Sequence, residues 1–541
     1  MLNNFLGADQ LQRRWGQAGL DFRTIFLWAW GAFFLFWRIW AVPPYTDIDG
    51  GPFLLWAYLP NEQMPSIQWG LPFWFPLFFQ LARMALRWWA PHFTVLHVLS
   101  AFLASLLVPL VYRLARKIVS DQEAFLASLL LGSSLWFMSF NRFYWGYHNL
   151  EIFFSSAVLL LSAVAASRRQ SAMFQAALML AGLWLINGVH ISIPSFAAWF
   201  VFIWWTGSWR WLERKRSWLV LAVSLLVFIA AAAVHAKLLN YTLAQTLYEG
   251  YLHHYYNRAS RPMTWAHWTA FWPRALLQAA VFAKDLFLVS SGATDSYWAR
   301  SIGRPLVVWP LPIFLALGLA RSAGRRDIMD KLCLSCFAAY TFFFCFLIDY
   351  QARRFAPLMP LIFIVIAREM IHWWRLRPRR APAMAITGVL LAAFSLRDWN
   401  DYFYHYERIN RQGYLVEKGH IEIAQYIQTH STPRTLILHG GPWPVFHAYT
   451  GCRFLTQLIA FERMTPGLAG DARLWAADVV YLVLPLRQID EDPPFWKSVL
   501  RQTHRIVLTP GAENLLYRIP QPALSGVMSA LLSRGTKLHN R

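Results

Sequence analysis

The sequence predicts a polytopic α-helical membrane protein with a small α/β domain at its C-terminal end. Three observations predict it: apolar runs of spanning length, basic residues confined to alternate loops, and a change of pattern after residue 397. Hydrophobic residues make up 57% of the 541 residues and charged residues only 14%, against roughly 25% charged in soluble domains. The apolar runs hold about 17–22 residues each, enough for a helix to cross a hydrocarbon core of about 30 Å. Thirty Trp and 41 Phe are present, and many stand at run ends, where amphipathic rings favour the headgroup level.

The runs place about eleven spans, at roughly 23–42, 92–112, 122–140, 148–166, 171–187, 189–206, 217–237, 303–320, 332–349, 355–373 and 382–397. With the N-terminus in the cytoplasm, every inner loop is basic. These loops carry Arg13/Arg14/Arg23, Arg113/Arg116/Lys117, Arg168/Arg169, Arg210/Arg214/Lys215/Arg216, Arg321/Arg325/Arg326/Lys331 and Arg375/Arg377/Arg379/Arg380. That agreement sets the orientation as N-in and C-out. The formal charge of +22 is thereby explained by topology and contact with membrane lipids, not by nucleic acid.

Two apolar segments remain. Residues 71–90 carry Gln80, Arg83 and Arg87 at helical spacing, and residues 275–291 carry Lys284 and Asp285. Counting either one alone as a span would turn every later basic loop outward, so both are expected to be external interfacial or re-entrant helices. The expected layout is a membrane domain at 1–397, with external loops at 43–91 and 238–302, and an extracytoplasmic domain at 398–541. The latter mixes helix-like GYLVEKGHIEIAQYIQTH with strand-like TLILHG, VVYLVLP, RIVLT and NLLYRI, a small α/β pattern. Its HGGPWP reads as a turn after a strand, since no G-x-S-x-G accompanies it. Four cysteines give no disulfide framework; Cys333, Cys336 and Cys345 read as small packing residues. No cleavable signal is visible, and the first apolar run reads as a retained span.

Residues able to carry chemistry gather in the external segments. Asp47 and Asp49 follow the first span in PPYTDIDGGPFLLW. They are either ordinary polar loop ends or a base whose carboxylate, close to hydrocarbon, accepts a proton near neutral pH. NRFYWGYHNLEIFF supplies Arg142, His148 and Glu151, and Glu151 enters the span itself, where ionisable groups are costly. The plain alternative is an Arg142–Glu151 pair that secures the turn. In FLIDYQARRFAPLMP, Arg353 and Arg354 precede a helix, a position suited to a phosphate or to simple snorkelling. YEGYLHHYYNRASRP offers His253, His254, Arg258 and Arg261 for phosphate or metal, or as an interfacial belt; adjacent histidines are poor same-face metal ligands.

The order of these features resembles the GT-C glycosyltransferases. A carboxylate follows the first span, an interfacial helix comes next, an Arg-led motif stands between spans three and four, and R-R-F-A-P-L-M-P lies late in the membrane part. The likeness covers roughly residues 20–400 and is nearest to the bacterial protein O-mannosyltransferase and aminoarabinose-transferase-like branch. It implies a bacterial inner-membrane enzyme that moves a sugar from a polyprenyl-phosphate-linked donor to a glycan, lipid or protein acceptor at the external face. The base then falls on Asp49, with Asp47 in reserve, and Gly50 stands where the family often has Glu. Arg142 matches the second motif, while His148 or Asn149 occupies the place of an expected Asp, with Glu151 a turn further. Arg353 and Arg354 match the segment near the lipid phosphate. No cofactor is implied with certainty; a divalent cation stays open.

Two other readings compete. A transporter or flippase for a lipid-linked glycan predicts ionisable residues near mid-span. A non-catalytic envelope partner predicts that Asp47 and Asp49 face solvent.

Overall fold

The computed structural model describes residues 22–39, 76–89, 93–134, 147–167, 189–208, 210, 215–238, 242–244, 311–343, 356–376, 420–439, 458–460, 476–508, 512 and 514–539, with parts of 272–284 and 382–396. The chain divides into two compact units, one of helices and one that includes Tyr406–Arg541.

The long helices are α1 (Phe22–Ile39), α2 (Pro76–Trp88), α3 (Phe93–Ala115), α4 (Asp121–Ser133) and α5 (Tyr147–Ser167). They continue with α6 (Val189–Trp205), α7 (Lys215–Leu238), α8 (Leu311–Arg325), α9 (Ile328–Phe342) and α10 (Met359–Leu376). Within the described residues, Val98–Ala115 and Ala356–Leu376 are long and apolar enough to cross a membrane, with shorter apolar helices at Ile152–Ala166, Pro194–Trp205 and Leu225–Val234. The expected span 171–187 lies outside the described residues.

Apolar character is distributed in two ways. Every residue of α10 from Met359 to Ile371 is buried, as a helix apolar all round must be at the centre of a bundle. On α7, by contrast, Trp218, Leu219, Leu225, Leu226 and Val234 are exposed. An apolar surface of that kind suits hydrocarbon rather than water.

Relative helix directions follow from side-chain pairing. Arg23, at the start of α1, pairs with Asp121 at the start of α4. The hydroxyl of Tyr112, near the end of α3, donates to the same carboxylate at 2.7 Å. One end of the bundle therefore holds the start of α1, the end of α3 and the start of α4. Farther along, Gly31 lies against the Ser105 carbonyl, which a Cβ would approach to 2.9 Å. Small residues at such contacts let backbones close in.

A second anchor joins α8, α9 and α10. Arg368 on α10 donates to Asp330 at 2.8 Å and Asp327 at 2.5 Å, and Ser322 donates to Asp330 at 2.8 Å. Arg321 pairs with Glu369 at 2.9 Å and contacts His372. Because Arg321 meets residues 369–372 while Gly318 meets Val365 and Glu369, α8 and α10 run parallel, and the tight turn at Arg326–Asp327 makes α9 antiparallel to both. Asp327 and Asp330 also close a reciprocal capping box. It starts α9 at residue 328, four residues before the expected span, because an Asp at each end of the motif satisfies orphan amides. Burial alone would raise the Asp327 pKa, but hydrogen bonds from the Asp330 amide and Arg368 outweigh it and hold the carboxyl below its ordinary value. Its contribution to stability is therefore present above the unfolded pKa and fades as pH falls through the folded one.

The described helix α4 ends at Ser133, short of the expected 140. Ser134 is extended, and the Ser133 hydroxyl donates back to the Leu129 carbonyl at 2.9 Å. Gly-Ser-Ser is a weak helix former.

The second unit is a five-stranded sheet of order β2-β1-β3-β5-β4. Its strands are β1 (Thr435–His439), β2 (Leu458–Ala460), β3 (Val479–Pro485), β4 (His504–Ile506) and β5 (Asn514–Ile519). The first three are parallel, and β5 pairs antiparallel with β3 and β4. Helix α11 (His420–His430) packs Ile423, Ala424 and Ile427 on one face. On the other, α13 (Pro493–Leu500) and α14 (Gln521–His539) pack Trp496, Val499, Val527 and Met528, after the short α12 (Leu486–Glu491). Covering both faces is what the parallel half of this mixed sheet needs.

Three outcomes are expected. Gly318→Val drives a Cβ to 2.6 Å from Val365, so overpacking should cost about 1–3 kcal/mol and lower the thermal midpoint in scanning fluorimetry. Asp330→Asn removes one of the two carboxylates that meet buried Arg368, leaving Asp327, and should cost about 1.5–3 kcal/mol, the worth of a charge-assisted hydrogen bond, read the same way. In the sheet unit, burial pushes the Tyr481 and Tyr517 phenols up. Their folded pKa values exceed the unfolded ones, so stability held below about pH 10 should be lost as pH rises through the folded values. Tyrosinate absorbance and circular dichroism followed together in alkali check this.

Candidate functional site

Polar groups inside the bundle identify its second end. Helices α5 and α6 are parallel: Ser155 meets Ser195 at 3.0 Å, and Trp199 donates to Ser162 at 2.8 Å. Ser195 also bonds Tyr340 at 2.6 Å, near the end of α9. Early α5 and early α6 therefore share a level with late α9, away from the Arg368 cluster that caps the start of α9. The beginning of α10, which runs parallel to α8, is at this level too.

The candidate residues stand in segments that adjoin the described helices in sequence. Asp47 and Asp49 follow α1; Arg142 stands between α4 and α5; His253, His254, Arg258 and Arg261 follow α7; Arg353 and Arg354 come immediately before the helical turn at 356–358 that leads into α10. All nine lie outside the described residues. His148 and Glu151 fall in the first two turns of α5, but their side chains are likewise outside the described set. What the structure fixes is the frame from which these segments depart.

Helix α2 carries a further buried cation. Its sequence reads as a polar stripe of Gln80, Arg83 and Arg87. Arg83 is buried at 8% exposure, while Met84, Trp88 and Trp89 are exposed. The helix thus turns a cation inward and apolar and aromatic groups outward, the reverse of an amphipathic helix in water. An arginine in an otherwise apolar helix is the signal that points to it.

The Arg368 cluster was also missed in the sequence, although R-E within an apolar span and D-x-x-D before another are visible there. Its carboxylates are already engaged by Arg321, Arg325, Arg368 and Ser322. Chemically it is a neutralised anchor rather than an acid or base poised for reaction. Among the described residues, no group of three or more His, Cys, Asp or Glu side chains is placed to hold a metal ion. Asp47, Asp49, His253 and His254 lie outside those residues.

No protein-family model matches the chain, and no curated protein matches it in sequence. Solved structures do. ArnT from Cupriavidus metallidurans bound to undecaprenyl phosphate superposes with a TM-score of 0.58 at 12% identity, covering 91% of this chain and 97% of that one. Its apo form gives a TM-score of 0.55 at 11% identity, covering 92% and 98%. Nearly the whole length is shared in both cases, although few residues are. The chain shares the fold of these ArnT structures over nearly its whole length.

Proposed function

We propose that this chain is a membrane glycosyltransferase that moves a sugar from a polyprenyl-phosphate donor to an acceptor hydroxyl at the external face. The observation that carries the reading is the fold shared over 91% of the chain with ArnT bound to undecaprenyl phosphate. The helix directions support it, since early α5, with His148 and Glu151, shares a level with late α9 and with the start of α10, which Arg353 and Arg354 precede. The proposed layout is eleven spans over residues 1–397, N-in and C-out in a bacterial inner membrane. External loops occupy 43–91 and 238–302, and an extracytoplasmic domain occupies 398–541.

The chemistry follows from the donor. A sugar phosphate ester has a good leaving group, so no strong general acid is needed. The enzyme must deprotonate the acceptor and stabilise the departing phosphate. Asp49, with Asp47 in reserve, takes the acceptor hydroxyl proton as the oxygen attacks the anomeric carbon. The bond between that carbon and the phosphate oxygen breaks, and its electron pair leaves with the polyprenyl phosphate. A single displacement inverts the anomeric centre. Arg353 and Arg354 meet the developing phosphate charge beside the start of α10, with Arg258, Arg261, His253 and His254 as further donor-binding groups. Arg142, His148 and Glu151 form the second motif, and the acceptor is a glycan, lipid or protein.

The test is a transfer assay in proteoliposomes with lipid-linked sugars extracted from the host. Asp49→Asn should lower the rate by about 10²–10⁴-fold, the usual worth of a positioned base, with expression and thermal midpoint unchanged. Replacing Arg353 and Arg354 together by Gln should instead weaken donor binding most, since a charge-assisted hydrogen bond is worth about 1.5–3 kcal/mol. Undiminished transfer by Asp49→Asn and Asp47→Asn together would overturn the assignment of the base.

A further inference from the structure

Three buried hydroxyls remain without a role in the chemistry above. Ser155 and Tyr340 are fully buried and Ser195 is 1% exposed. Their chain runs Tyr340–Ser195 at 2.6 Å and Ser195–Ser155 at 3.0 Å, joining α9, α6 and α5. We propose that this chain is a positioning latch for the lipid-phosphate site, holding the second-motif turns of α5 in register with the end of α9. The inference rests on the function proposed above.

The argument is one of place and of missing water. Ser155 stands four residues after Glu151 and seven after His148, the spacing of one helical face. Helix α9 ends at Phe342, and the chain continues from it toward Arg353 and Arg354. The latch therefore connects the helix carrying one set of polar candidates to the helix that delivers the other. In an apolar interior a broken hydroxyl bond finds no solvent partner, so one axial register of the three helices is favoured over its neighbours. Ser195 also follows Pro194 inside α6. A proline there removes a backbone donor and loosens the preceding turn, so side-chain bonds take over the task of fixing the helix at this level.

A second rung provides the control. Trp199 and Ser162 tie α6 to α5 at 2.8 Å without involving α9. A merely cohesive role would make the two rungs equivalent, whereas a latch between α5 and α9 would not.

The experiment measures binding of undecaprenyl phosphate to the full chain in nanodiscs, beside the thermal midpoint. The variants are Tyr340→Phe, Ser155→Ala, Ser155→Thr and Ser162→Ala. Tyr340→Phe and Ser155→Ala should bind about tenfold more weakly, the scale of one buried hydrogen bond, with little change in midpoint. Ser155→Thr, which keeps the hydroxyl, should restore binding, and Ser162→Ala should bind as the unaltered chain does. Equal binding by all variants, or an equal loss in Ser162→Ala, overturns the latch and leaves the proposed function standing. Failure of the unaltered chain to bind undecaprenyl phosphate overturns both. If Tyr340→Phe does not fold, the Ser155 pair decides the matter.

Discussion

A guanidinium buried among packed helices must carry its counter-charge with it, and the Arg368 cluster meets that constraint. Arg368 lies on the most enclosed helix of the bundle, where an unmatched charge would be intolerable. Asp330 is wholly buried and Asp327 half exposed, so the cluster reaches from the interior to the bundle's end. It fixes the α8–α9 turn against α10 and thereby sets where α10 begins, at the other end of the molecule. Everything proposed about the phosphate-binding arginines depends on that placement.

Charge is handled differently in different parts of the bundle. In the Arg23–Asp121 and Arg321–Arg368 clusters, cations and carboxylates neutralise one another through short bonds. Where α5, α6 and late α9 meet, neutral hydroxyls orient the helices without adding a field of their own.

Much of this was legible in the sequence, for local reasons. Helix limits followed from run length, and helix parity from the alternation of basic loops; the pairing of Arg23 with Asp121 and the parallel packing of α5 with α6 agree with that parity. The strands β1, β3 and β5 announced themselves as short apolar runs. Three-residue β2 did not, being too brief to show a period. Long-range partners were the main loss: Arg368 and Asp330 are 38 residues apart, and Ser195 and Tyr340 are 145 apart. Hydroxyls within apolar helices look like filler until their neighbours are known. The inward face of α2 was equally hidden, because a polar stripe reads as a wet one. Of the site, only the points where its segments join the bundle were recovered, since the candidate residues fall outside the described helices.

The turn between α8 and α9 carries one more implication. Arg326 adopts φ of 53°, a left-handed conformation that side chains with a Cβ rarely take, and the next residue already caps the following helix. The whole connection is thus spent on geometry, with no slack residue. A reporter or affinity tag spliced between these helices would unseat the cap and the buried arginine together. Any compartment assignment made from such a fusion would describe a damaged protein, so insertional mapping should begin elsewhere.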